Sequence, residues 1–429
     1  MVLITLATIF IVLMAIGVPI SFSVGIASVV AALMMPGVDN ATIVQRMLVS
    51  LNTFPLLAVI FFVFAGTLMS RGGVATRLVK MAEVLVGRLP GSLAQIVCVA
   101  SMFFGGVTGS AVAEVSSIGS MMIPAMEKDG YSRRFATAIV LTAATMGPII
   151  PPSIGMIVFA HVAGNVSIAA LFVAGIIPGV LIGVSLMAAS FIHGKLYHQK
   201  RLPVLPRAEK IRRVLDGLAG VFTMVIILGG IISGVFTATE AGAAASVYAL
   251  FLTIFVYKEI RFSDLPEILW ECCLTNAVVM MLIATCSVFS WILTYENLPR
   301  MLAENFFNLI QSKWAFLLIL NLFLLVVGMF IDMTPAIIML VPMLLPLAQK
   351  FGIDMVHFGL IIVINLAFGL TTPPVGTALF VAIKVGRISM EKLLPPLLPL
   401  LACMLVVLLF VTYVPEIYFW LPRSFGLVK

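Results

Sequence analysis

Two adjacent prolines, Pro151 and Pro152, stand in the middle of an apolar run long enough to cross a bilayer, in the stretch GPIIPPS from Gly147 to Ser153. In a helix interior each proline removes a backbone donor and clashes with the preceding turn, a penalty of roughly 3 kcal/mol apiece. In hydrocarbon the freed carbonyls have no bulk water to turn to. Such a break is tolerated only where it is packed in protein or lines a polar cavity. The chain must therefore fold as a membrane bundle arranged around an interrupted helix.

The rest of the chain agrees. Of its 429 residues, 62% are hydrophobic and 10% charged, against about 25% charged in soluble domains. Apolar runs recur at residues 3–35, 53–70, 92–125, 135–163, 168–192, 214–237, 241–257, 267–294, 314–346, 356–385 and 393–414. This reads as an all-α polytopic membrane protein with no separate soluble domain. The first run is too long for one straight span and holds Gly17 and Pro19, so a pair of short helices is expected. It has no basic leader and no small-residue cleavage site, and reads as membrane-embedded, not as a cleaved signal. The net charge of +7 is spread over short loops, as the positive-inside rule requires, and does not point to nucleic acid. The five cysteines lack CxxC spacing and the four histidines are scattered, which leaves metal catalysis unsupported. His161 and His357 read as loop-edge residues, not proton carriers.

Two basic connections set the topology. Arg71, Arg77, Lys80 and Arg88 alternate with apolar residues at helical spacing, the pattern of an amphipathic helix at the cytoplasmic interface. Lys195, Lys200, Arg201, Arg207, Lys210, Arg212 and Arg213, opposed by Glu209, mark a cytoplasmic linker with Pro203 and Pro206. With the charged loop from Glu127 to Arg134 also cytoplasmic, the run 92–125 must enter and return. It is short for two full spans of ~20 residues each. It reads as a re-entrant helical hairpin with GGVTGSA near its tip, followed by the broken span 135–163.

GLTTPPVG, from Gly369 to Gly376, repeats the frame of GPIIPPS at a displacement of 222 positions, Pro151 to Pro373. At that displacement Gly106 falls on Gly328, Pro124 on Pro346, Lys128 on Lys350, Gly130 on Gly352 and Gly147 on Gly369. Both halves read hairpin, charged loop, Pro-Pro-broken span. Three spans separate the linker from the second hairpin, so that hairpin opens from the outer side and the copies are inverted. Inverted repeats with discontinuous helices at the midplane are a transporter pattern. Free carbonyls at the breaks suit a small cation, and the facing half-helix N-termini suit an anion.

Within this frame Asp332 is an acid at membrane depth, read as a cation ligand or neighbour, or as a half-helix cap. Thr108 and Ser110 occupy the equivalent tip, as ligands or back-bonded to a helix carbonyl. Glu114 faces a cavity or a salt bridge, Asn365 is a ligand or an amide cap, and Glu240 suits a helix start. Hydroxyls of Ser110, Ser116, Ser153, Thr371, Thr372 and Thr377 are available to an anion. No arginine lies in the two repeat cores, so a carboxylate is held by half-helix dipoles and the cation, or by an arginine from elsewhere. A serine hydrolase using Ser110 would need a base, and none has suitable spacing.

FVFAGTLMSRGGVATRLVKMAEVLVGRLPGSLAQ (63–95), ASMFFGGVTGSAVAE (100–114), IPAMEKDGYSRRFA (123–136), GPIIPPS, TATEAGAAASVYAL (237–250) and VHFGLIIVINLAFGLTTPPVGTALFV (356–381) together resemble the large membrane subunit of TRAP (tripartite ATP-independent periplasmic) transporters. The likeness spans nearly the whole chain, with the motifs in order. One departure is Ala238, where the family commonly has proline. The resemblance implies a bacterial inner-membrane protein that imports an organic anion, a carboxylate or sugar acid such as a C4-dicarboxylate or sialic acid, driven by sodium ions. It implies a soluble periplasmic substrate-binding protein and a small membrane subunit as partners, the latter as a separate chain. The fold implied is a scaffold plus an elevator-like transport domain. A partner-independent ion or organic-anion transporter of similar architecture is the alternative.

Sodium is then expected where each hairpin tip meets its break: at Gly106, Thr108, Ser110, Gly147, Ile150 and Pro151, and at Gly328, Asp332, Thr334, Gly369, Thr372 and Pro373. Substrate contacts are expected from Ser110, Ser116, Ser153, Asn365 and Thr377. The expected division is 1–90 for scaffold helices and the interfacial arm, 91–165 for the first transport repeat, and 166–313 for scaffold helices with the linker 193–213. Residues 314–388 form the second transport repeat and 389–429 a C-terminal helix.

Overall fold

The computed structural model describes residues 1–164, 166–301, 310 and 312–428. Among them only helices and connections occur, and eight helices are long and apolar enough to cross a membrane. The first apolar run is two helices, α1 (Val2–Ala15) and α2 (Ile20–Leu33). Gly17, at φ 84°, turns the chain, and Pro19 precedes the first turn of α2. Asp39 caps α3 (Asn40–Leu51) by accepting from the Thr42 amide at 2.8 Å.

α4 (Phe54–Arg71) packs along α12 (Ala238–Phe251). Small residues let the backbones close: an ideal Cβ on Gly242 would lie 3.0 Å from Phe61 Cβ, and Ser246 donates to Phe61 O at 2.9 Å. α12 starts on a capping box in which Thr237 and Glu240 satisfy each other's backbone amides. That is the helix-start role read for Glu240. α5 (Val74–Val86) follows Gly73 and buries Val74, Ala75, Leu78, Met81 and Ala82, one helical face, against α6 and α11 (Arg207–Ile232). Its charged face is tied down: Arg77 pairs with Glu259 at 3.1 Å and lies over the Tyr257 ring, and Glu83 pairs with Arg213. Arg71 bridges Glu267 and Glu271 of α13 (Leu265–Tyr295) at 2.9 and 2.8 Å. Exposed pairs of this kind contribute about 0–1 kcal/mol each, so they fix the register of the arm more than they hold it.

Two series of five helices make up the remainder. The first is α6 (Ser92–Thr108), α7 (Ala111–Lys128), α8 (Arg133–Ala144), α9 (Ile154–Ala163) and α10 (Ile168–Leu196). The second is α14 (Lys313–Phe330), α15 (Met333–Lys350), α16 (Met355–Gly369), α17 (Thr377–Gly386) and α18 (Met390–Tyr413). Ala111 to Met333, Arg133 to Met355 and Ile168 to Met390 are each 222 positions apart. Ser92 to Lys313 is 221 and Ile154 to Thr377 is 223. The spacing thus extends to a fifth helix in each series, beyond the hairpin and broken span legible in the sequence. Serines precede both fifth helices, Ser167 and Ser389.

α8 from Phe135 onward and α16 from Val356 onward are buried all round, as a helix at the centre of a bundle must be. The series interlock: α7 packs on α17 and α9 on α15, while α10 and α18 pack on each other and on α8 and α16. Helix α19 (Glu416–Ser424) closes over this end, where Tyr418 OH contacts His357 Nδ1. His357 is therefore a buried residue of the first turn of α16, not a loop-edge residue; it is 4% exposed. His161, by contrast, lies half-buried in the last turn of α9.

Candidate functional site

The interruptions of the two series meet. The turn between α6 and α7 needs a left-handed residue, and Gly109 supplies it at φ 62°, its amide bonding to Gly105 O at 3.0 Å. Ser110 then caps α7, accepting from the Ala113 amide at 3.4 Å. This tip lies on the first break. Ideal Cβ atoms on Gly105 and Gly109 would sit 2.9 Å from Gly147 Cα and 2.8 Å from Pro152 O. In the second series the contact recurs: a Cβ on Gly369 would lie 2.4 Å from Gly328 Cα, and the Gly376 amide bonds Met329 O at 3.1 Å. Both proline pairs, Pro151–Pro152 and Pro373–Pro374, are cis. The two halves of the site touch where Met333 packs against Gly155.

At each break two helix N-termini therefore meet two C-termini, Ala111 and Ile154 with Thr108 and Ala144 in the first series, Met333 and Thr377 with Phe330 and Gly369 in the second, and the Met333–Gly155 contact joins the two groups. Each terminus carries roughly half an elementary charge, positive at the N-terminus. Together the N-terminal ends present roughly two positive charges, and the C-terminal ends the same of opposite sign. An anion and cations can be held side by side in one place with no cationic side chain. Among the described residues no hydrogen bond reaches the carbonyls of Pro151, Pro152, Thr372 or Pro373. These are hard oxygen ligands.

The expected residues fall into three groups. Gly106, Thr108, Ser110, Gly147 and Pro151 are brought together at the first break, with Gly106 close to Pro151 O. Gly328, Asp332, Thr334, Gly369, Thr372, Pro373 and Thr377 surround the second; Thr377 Oγ1 donates to Asp332 Oδ1 at 3.3 Å, and Asp332 does not cap its helix. A third group has its side chains engaged elsewhere. Ile150 is turned onto Gly179 of α10. Ser153 donates to Pro148 O at 2.5 Å and caps α9. The Asn365 amide donates to Asn321 and Ile361 O, both at 2.7 Å. Thr108 and Thr372 donate to Phe104 O and Phe368 O at 3.2 and 2.8 Å, the helix back-bonding that leaves a hydroxyl oxygen with lone pairs to spare. Ser116 lies exposed on the outer face of α7, bonded to Val112 O.

Glu114 is the residue whose importance the sequence did not disclose. It is 0% exposed, and no hydrogen bond reaches either carboxylate oxygen. Oε2 lies 2.8 Å from the Cβ position of Gly147, and the Ser101 hydroxyl is its polar neighbour. A buried carboxylate without a partner is costly unless a cation compensates it. Asn321, which also accepts from Thr412 at 3.3 Å, was likewise missed; it ties α14 to α16 and α18. An acid one turn inside the hairpin arm and an asparagine in an apolar run were the only available signals.

Comparison with known proteins places this geometry. The family description "Tripartite ATP-independent periplasmic transporter, DctM component" matches residues 7–417. The chain is 44% identical to the uncharacterized protein YgiK of Salmonella typhimurium, over 97% of this chain and 96% of that one. It is 38% identical to the C4-dicarboxylate TRAP transporter large permease protein DctM of Pseudomonas aeruginosa, covering 94% and 95%. It is also 38% identical to the sialic acid TRAP transporter large permease protein SiaM of Vibrio cholerae, covering 95% and 96%. A crystal structure of the Alcanivorax borkumensis YdaH transporter shares the fold at TM-score 0.62 and 12% identity, over 99% of this chain and all of that one. The chain belongs to the DctM component family of TRAP transporters: it is a multi-pass inner-membrane transport subunit, not an enzyme, and one component of a tripartite assembly.

Proposed function

We propose that this chain is the translocating subunit of a sodium-coupled importer of an organic anion, working by an elevator movement with a separate small membrane subunit and a periplasmic binding protein. The observation that carries the reading is that at each break two helix N-termini meet two C-termini beside an acid, Glu114 at the first and Asp332 at the second. The N-terminal ends suit an anion, and the acids and carbonyls suit sodium. Relatives named for C4-dicarboxylates, sialic acid and isethionate support an organic anion as the substrate class. Uptake into proteoliposomes, with the small subunit and binding proteins for each class, should require both an inward sodium gradient and the matching binding protein. Uptake that is indifferent to sodium would remove the coupling. Uptake without any binding protein would leave a partner-independent transporter.

The equal spacing of the two series supports an inverted repeat, with both hairpins re-entrant. What supports re-entry is that each tip lies on its own break, Gly105 against Gly147 and Gly328 against Gly369, as expected of a hairpin that turns back at depth. Cysteine at Asp129 is expected to label from the cytoplasm and cysteine at Gly352 from outside. Labelling of both from one side would end the inversion.

The moving unit is taken to be both series. Their contacts support including α10 and α18 with it, although residues 166–313 were expected in the scaffold. The face of α4 against the first hairpin is lined by small groups: Gly66 approaches Thr108, and Ser70 Oγ lies 2.6 Å from Ser117 Oγ. A smooth face of that kind suits sliding. Cysteines at Ser70 and Ser117, crosslinked by an oxidant, should stop uptake by at least tenfold and recover on reduction. Undiminished uptake with the crosslink formed excludes the elevator.

A further inference from the structure

A cavity of about 690 Å³ opens between α7 and α17, outside the meeting of the breaks. Ser116 and Ser120 line it, one turn apart on α7, with Arg133, Lys384 and Arg387 at its far end. The two helices run side by side in the same direction. Their first turns are at the tip and the break, Gly119 faces Val385, and Arg133 Nε bonds Gly386 O at 2.7 Å at their last turns. The cavity therefore runs from Ser116, more than one turn beyond the tip, towards the loop of Glu127 to Arg134, the side the basic residues assign to the cytoplasm.

Its charge is one-sided. Arg133 pairs with Glu127 at 2.8 Å. Lys384 and Arg387 are exposed, and among the described residues neither has an ion-pair partner. A cleft lined by one sign of charge focuses the field and concentrates ions of the other sign. Ser116 and Ser120 lie one turn apart on the same face of α7; each hydroxyl donates to its own helix, to Val112 O and Ser117 O, and must turn from that bond to meet an anion.

We propose that this cavity is an exit vestibule for the transported anion, which leaves the helix N-termini along Ser116 and Ser120 and is received by Lys384 and Arg387 before release to the cytoplasm. This rests on the reading of the chain as an organic-anion importer. A transported anion bound only by dipoles and sodium faces a barrier once sodium departs; an unpaired positive rim offers it the next favourable position. Any carboxylate or phosphate group satisfies the same chemistry, so an anionic lipid headgroup is the competing source.

The test needs no knowledge of the substrate. The full chain, with its native cysteines replaced and Ser120→Cys introduced, is reconstituted in neutral phosphatidylcholine with the small subunit. Labelling rates are compared for an anionic and a cationic thiosulfonate reagent of similar size. The anionic reagent is expected to react roughly tenfold faster, and Lys384→Gln with Arg387→Gln should abolish the preference. Succinate should slow labelling in the original background and not in the double variant, while uncharged succinamide does neither. No preference for the anionic reagent overturns the vestibule. Protection that appears only when phosphatidylglycerol is added overturns it in favour of a lipid site. Charge preference and succinate protection that persist while no binding protein supports uptake would sustain the vestibule and fail the import reading separately.

Discussion

Gly369→Ala is expected to abolish the sodium-coupled uptake proposed for this chain while leaving an inserted, less stable protein. The new methyl group would lie 2.4 Å from both Cα and C of Gly328 and 2.6 Å from its oxygen. Those neighbours are backbone, so no side chain can turn aside. α14 must move away from α16, and overpacking of this kind costs roughly 1–3 kcal/mol. The larger effect is on the site. The carbonyls of the second break and the Asp332 tip belong to separate helices, and this is their closest backbone approach, beside the Gly376–Met329 and Thr377–Asp332 hydrogen bonds. A shift of about 1 Å in a positioned group can lower a rate by about 100-fold. Uptake and thermal unfolding of the same preparation check both parts. Gly229→Ala, where nothing lies within 4 Å of the added atom, should leave the unfolding temperature unchanged or higher. Full activity of Gly369→Ala would mean that the hairpin and the break need not touch.

That contact also shows what the sequence could disclose. The breaks and the Gly109 tip were legible because glycine and proline mark backbone irregularity wherever they occur. The repeat was legible for the same reason: its landmarks, Gly147 with Gly369 and Pro151 with Pro373, are residues that composition seldom matches by chance. α10 and α18 share the spacing equally well, yet their apolar runs share no such landmark beyond a serine just before the first turn, so the fifth helix of each series was hidden. Charge signals were also incomplete. Glu209 was visible only as the one acid opposed to the basic linker; that it pairs with Arg213, and that the distant Glu83 pairs with the same guanidinium, was not. His357 was misread because nothing in its neighbourhood announces Tyr418. Side-chain partners set by tertiary contact leave no local trace.

Glu114 is the sharpest instance, and it carries the second large effect. At sequence level it was an acid one turn beyond the tip, open to a cavity or a salt bridge. In the structure it is sealed from solvent, receives no hydrogen bond although the Ser101 hydroxyl is near, and faces the first break at Gly147. Two properties should therefore change in opposite directions in Glu114→Gln, which keeps the shape and removes the charge. Without sodium, unfolding temperature should hold or rise, because a buried uncompensated charge has been removed. With sodium, the stabilisation that a ligand confers on the folded state should shrink. The half-saturating sodium concentration for uptake should rise by roughly 10–100-fold, the range seen when even supporting groups of a metal site are changed. Asp332→Ala gives the comparison. Asp332 is half-buried and already accepts from Thr377, so its loss should raise the sodium requirement with less gain in sodium-free stability. A merely structural Glu114 would give the reverse pattern: lower stability in the absence of sodium and an unaltered sodium requirement in transport. Only a carboxylate awaiting a cation is destabilising on its own and indispensable once the ion arrives.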